Sequence, residues 1–159
     1  MVLASSAGIP GKGGMAIRAL TLSSVKVIES DSDPAKGSAD ATKFTISAID
    51  AFVSAYVFDR TLTFTENDAG GVAMAQVKMS EANLEAVRFG LRGWENFKDD
   101  RGNDVAFTTA DRIVMGKKYV AVADECLALL SQDLVRELAS AIRKINEVTP
   151  DDVKKSVAA

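Results

Sequence analysis

From Ala16 to Leu22 small or apolar residues alternate with polar ones, and Val25–Ile28 prolongs the run, so the spacing predicts strands here. Asp31 to Gly37 is dense in turn formers. Pro34 presets one φ and Gly37 permits a positive one, which makes Lys43–Ile46 the returning strand of a wide hairpin. Ile49, Phe52, Val53 and Tyr56 follow at i, i+3, i+4 and i+7, one face of a short helix. Thr61–Thr65 alternates as a strand and is closed by the polar and Gly-rich run Asn67–Gly71.

The second half reads as more helical. Ser80 is the expected N-cap of a helix in which Asn83 bonds back to the cap and Leu84, Val87 and Leu91 form the apolar stripe. Gly90 and Gly93 are its expected stop. Met115–Lys118 turns a hairpin between Arg112–Val114 and Tyr119–Val122. Ser131 caps the clearest helix, with Leu134, Val135, Leu138, Ile142 and Ile145 buried opposite Arg136, Glu137, Arg143 and Lys144. Thr149-Pro150-Asp151-Asp152 is a helix-start signature that opens about two turns, too short to stand alone. The pattern therefore predicts an α+β fold in one small domain, with an N-terminal β-rich half, a helical C-terminal half and a flexible N-terminal arm. Its divisions are a Gly-rich arm over 1–15, a globular body over 16–147 and a short helical tail over 148–159.

Composition narrows the chemistry more than the fold. The balance of 19 basic against 22 acidic residues gives a net charge of −3, which argues against a nucleic-acid surface. No apolar run approaches the ~20 residues of a membrane span. Met1 to Met15 lacks the apolar core of a signal peptide and is expected to be no targeting segment. There is no His, so no Ser-His-Asp triad, no Cys-His pair and no imidazole base can form. One cysteine, Cys126, forbids an internal disulfide and Cys-rich metal clusters.

Candidate motifs fail one by one. Gly11-Lys12-Gly13-Gly14 precedes a strand and lacks the Lys-[Ser/Thr] of a P-loop. Asp99 to Asp104 fits no calcium-loop register, because position 3 falls on Arg101 or Gly102. The pairs Glu81 with Glu85 and Asp151 with Asp152 read as solvated helix faces. Cys126 reads as a small buried hydrophobe, and Trp94 as a core anchor rather than a ligand-stacking ring. The expectation is a non-enzymatic protein with no cofactor and no metal.

A longer pattern points to a family. Asn83-Leu84-Glu85-Ala86-Val87-Arg88-Phe89-Gly90-Leu91-Arg92-Gly93-Trp94-Glu95-Asn96-Phe97 runs a helix into a Gly-hydrophobic-x-Gly-Trp-x-Asn-Phe turn. Asp100-Arg101-Gly102-Asn103-Asp104-Val105-Ala106-Phe107 follows as an Asp-x-x-Gly-Asn hairpin, and Leu129–Ala139 as a later helix. Over roughly residues 40–147 the chain resembles small proteins of tailed-bacteriophage morphogenesis clusters. The resemblance implies either of two roles. One is a homo-oligomeric neck or tail component of the virion, binding copies of itself and other phage structural proteins. The other is a tail assembly chaperone that acts transiently on tape-measure or tail tube protein and leaves the particle. Both imply a place in the virion or, during assembly, in the host cytoplasm, with neither a membrane nor a specific nucleic acid as partner.

The arm is the expected contact element. Fixing its backbone costs about 1–2 kcal/mol per residue, while its few apolar side chains return about 1.5–3 kcal/mol each. It therefore gains most by docking on neighbours already held in place. The expected interaction residues are Met1, Val2, Leu3, Ile9, Pro10 and Met15 in the arm, with Val153 and Val157 in the tail.

Overall fold

The computed structural model describes residues 16–66, 73–77 and 79–147. In chain order the elements are strands β1 (Val25–Glu29) and β2 (Lys43–Ser47), helix α1 (Ala51–Asp59), strands β3 (Leu62–Glu66) and β4 (Ala73–Val77) and helix α2 (Met79–Gly90). Strands β5 (Leu91–Glu95), β6 (Thr109–Val114) and β7 (Lys117–Val122) follow, then helices α3 (Asp124–Leu127) and α4 (Gln132–Asn146). The fold is α+β, with antiparallel sheets.

β2 is the centre of a three-stranded sheet, flanked by β1 and β5. It suits that place because Phe44 and Ile46 point inward and are fully buried, with β1 and β5 paired along its two edges. The wide hairpin from β1 to β2 is held by Asp33, whose carboxylate accepts from the N–H groups of Ala35 at 2.9 Å and Thr42 at 2.8 Å. Gly37 takes the positive φ of 85° expected of it. β3 with β4 and β6 with β7 form two further hairpins. The second is turned by Met115 and Gly116 at φ 51° and 78°, the left-handed pair of a tight hairpin turn.

Helix α4 follows its pattern closely. The Ser131 hydroxyl accepts from the Leu134 N–H at 3.2 Å, and Val135, Leu138, Ala139 and Ile142 are buried, with Leu134 and Ile145 half-buried beside them. It packs along α2, and Gly90 is what lets the two approach. A Cβ at Gly90 would lie 2.6–2.9 Å from the Ile142 side chain.

Several expectations are corrected. Among the described residues Ala16–Leu22 forms no strand; the first strand begins at Val25, where β2 offers a partner. The α1 face is rotated: Val53 and Val57 are buried and Phe52 is exposed. α2 starts at Met79, so Ser80 lies within the helix rather than capping it. α2 does stop at Gly90 as expected, but Gly90 hands the chain straight into β5, so Gly93 sits within that strand and is not part of the stop. β4 had no signal in the sequence pattern.

Candidate functional site

Past α2 the chain runs through a bulged strand into an aromatic cluster. Leu91 pairs with Ile46 and Gly93 with Thr45, so Arg92 is a one-residue bulge in β5. The bulge aims Arg92 Nε at the hydroxyl of buried Ser47, 2.8 Å away. Trp94 is half-buried against Phe97 and Phe107, with ring centroids 4.7 and 5.0 Å apart, and Phe97 packs edge-on to Phe44 at 5.8 Å. The indole N–H donates to the Val105 carbonyl at 2.7 Å. Asn96 takes φ 58°, a left-handed position that Asn tolerates well. Its side-chain amide donates to the carbonyls of Ala39 and Ala41, and its backbone carbonyl accepts from the Thr42 hydroxyl at 2.8 Å.

On this aromatic base stands the hairpin from Lys98 to Asp104. The Asp99 carboxylate accepts from the N–H groups of Arg101 and Asn103, both at 2.9 Å, and Gly102 turns the tip at φ 82°. Lys98 pairs with Asp104 across the stem, and residues 98–104 are all exposed. The loop is thus preorganised and solvent-facing, the kind of position where binding residues are commonly carried. It brings no nucleophile, base or metal ligand set together. Among the described residues no group of three or more His, Cys, Asp or Glu is placed to hold a metal, and no helix is long and apolar enough to cross a membrane.

Two polar nodes lock the body. Asp50 caps α1, accepting from the Val53 N–H at 2.9 Å, and also accepts from the Tyr119 hydroxyl at 2.6 Å. Burial alone would raise the Asp50 pKa, but the bonds from Tyr119, Val53 and Lys117 outweigh it and hold the carboxyl below its usual range. Burial and the neighbouring Asp50 carboxylate together push the Tyr119 hydroxyl up to about 12. In the second node Arg88 pairs with Glu85 at 3.1 Å and with Asp124, which also takes Arg112 at 2.8 Å. Burial acts to lower the Arg88 pKa, yet its bonds to Asp124 and Glu85 prevail and raise it. These carboxylates serve structure. Cys126 does likewise: it is buried, and its sulfur accepts from the Thr108 N–H at 3.3 Å.

Grooves border α4 near both of its ends. One, of about 310 Å³, lies between α2 and the start of α4, and into it opens Asn83, whose side-chain Oδ1 is buried with no hydrogen-bond partner among the described residues. That corrects the expectation that Asn83 bonds back to a helix cap. The other, of about 300 Å³, lies at the far end of α4 against α1.

All the sequence-derived interaction residues, Met1, Val2, Leu3, Ile9, Pro10, Met15, Val153 and Val157, lie outside the described residues. The surface that is described offers others. On the outward face of the β6–β7 hairpin Ile113 and Val120 are 68% and 54% exposed, and Val25 and Val27 face solvent from edge strand β1. Period-2 alternation could have flagged Val25 and Val27. No signal marks Ile113 and Val120 as outward, because a two-stranded hairpin shows apolar residues on both faces. No protein-family model, curated protein or solved structure matches this chain.

Proposed function

We propose that this chain is a non-enzymatic structural protein of a tailed-phage particle, a homo-oligomeric neck or tail component that binds copies of itself and neighbouring structural proteins. The observation that carries the reading is the hairpin 98–104 standing on the Trp94–Phe97–Phe107 base. In that segment residues of the resemblance build and aim a loop. The exposed apolar positions on β1 and on the β6–β7 hairpin add support, since isolated edges and hairpin faces of this kind are covered in assemblies.

A second reading, the tail assembly chaperone, is favoured by one feature. The groove floored by Leu84, Leu130 and Val135 carries the unpartnered Asn83 Oδ1, an acceptor suited to the backbone N–H of a bound peptide. Protein mass spectrometry of purified particles separates the two. A virion component appears at a fixed ratio to the tail proteins. A chaperone is abundant in the infected lysate and lost from the purified particle, and that result overturns the first reading.

A further inference from the structure

The groove at the C-terminal end of α4 is apolar yet holds a guanidinium nitrogen with no hydrogen-bond partner among the described residues. Its walls include Val57, Phe58 and Met79, and the last two are 63% and 44% exposed despite lying beside the core. Arg143 enters from α4, and its Nη2 is buried with no hydrogen-bond partner among the described residues. A guanidinium nitrogen shielded from water without an acceptor is costly, so the site is matched to an anion carried on an apolar segment. The groove is also firm. Asn146 donates to the Ile49 carbonyl at 2.7 Å and accepts from the Ile49 N–H at 3.1 Å, pinning the end of α4 to the start of α1.

The chain itself supplies such a segment at that spot. Glu147 lines the groove, its backbone is already extended at φ −87° and ψ 133°, and twelve residues follow it, 148–159. They include Asp151 and Asp152 as anions and Val153 and Val157, four apart, as apolar partners on one helical face. Arg143 lies one helical turn before Glu147, about 6 Å back along the axis. Four extended residues reach about 13 Å, so Asp151 and Asp152 can return to Arg143 with slack.

We infer that this groove is the docking site of the chain's own C-terminal segment, with Asp151 or Asp152 on Arg143 and Val153 and Val157 over Phe58 and Met79. The tail would thereby serve its own body rather than a neighbour, unlike the role the sequence suggested for Val153 and Val157. The inference goes beyond the assembly reading and stands without it.

A nitroxide attached at Ser156→Cys in a Cys126→Ser background tests it on the full-length protein. The expected result is broadening of the amide NMR signals of Ser54, Phe58, Thr61 and Met79 within the labelled chain, while Val27 and Gly102 stay sharp. Arg143→Glu should abolish the broadening, and adding Asp151→Lys with Asp152→Lys should restore it. Mixing isotope-labelled chains with spin-labelled, unenriched chains separates the sources. Signals that stay sharp in the mixture assign the broadening to the chain's own tail; broadening that persists in the mixture means a neighbour's tail fills the groove, and that overturns the inference. So does broadening that is absent, or that survives Arg143→Glu unchanged.

Discussion

Asp50 joins three parts of the molecule through one carboxylate: the cap of α1, the Tyr119 hydroxyl of β7 and the Lys117 ammonium 3.5 Å away. Its lowered pKa means that the folded state favours the ionised form, so this stabilisation is present above the unfolded value near ~3.9 and lost as pH falls through the folded one. Tyr119 works in the opposite sense. Its pKa, raised to about 12, gives stability that is complete below the unfolded value near ~10 and lost as pH climbs from there toward 12. Urea midpoints measured across alkaline pH should fall over that window in the native protein, and Tyr119→Phe should flatten this limb. A limb of equal size in the variant would assign it to other groups. Gly90 gives a second prediction at this scale. Gly90→Ala forces a methyl to within 3 Å of Ile142 and should cost about 1–3 kcal/mol. Gly90→Ala with Ile142→Val should recover part of that in chemical denaturation. The sequence marked Gly90 as a helix stop, but its reason is the approach of α4, a contact that no local pattern records.

At the scale of elements, legibility followed locality. α4 was readable from end to end because a Ser cap, a 3.6-residue apolar stripe and basic residues in the last turn all lie within one stretch. β2 and the β6–β7 hairpin were readable for the same reason. Ala16–Leu22 alternates as well as β1 does, yet only β1 has a partner strand, and pairing is decided elsewhere in the chain. Glu137 shows the same limit inside a helix. It was placed on the solvent face, but it accepts from the Ser30 hydroxyl at 2.6 Å and the Asp31 N–H at 2.8 Å, tying α4 to the β1–β2 loop. Glu137→Ala should cost about 1.5–3 kcal/mol, the range for hydrogen bonds to a charged group, with extra protease sensitivity confined to residues 30–42. The aromatic base was legible as a motif but not as a geometry. Trp94 is half-buried, so Trp94→Ala should cost near the low end for large aromatics, about 3 kcal/mol. It should also loosen the hairpin it supports, read as faster amide exchange from Asp99 to Asn103. Slow exchange there in the variant would show that the Asp99 carboxylate holds the loop alone.

On the scale of the whole molecule, the charged clusters are spent on internal locks, the one thiol is buried, and the preorganised features that face solvent are a loop and apolar strand faces. These features are what the proposed assembly role rests on, and self-association is the part of the proposal nearest to the purified protein. Of the candidate surface, the sequence could name the Trp94–Phe107 segment. It could not name Ile113 and Val120, because their exposure depends on which face of the hairpin α2 covers. Native mass spectrometry of the full-length chain, alone and as the Ile113→Lys, Val120→Lys double variant, tests the account most directly. The account predicts a defined homo-oligomer for the native chain and a folded monomer, with unchanged near-ultraviolet circular dichroism, for the variant. A native chain that stays monomeric as its concentration is raised would contradict it.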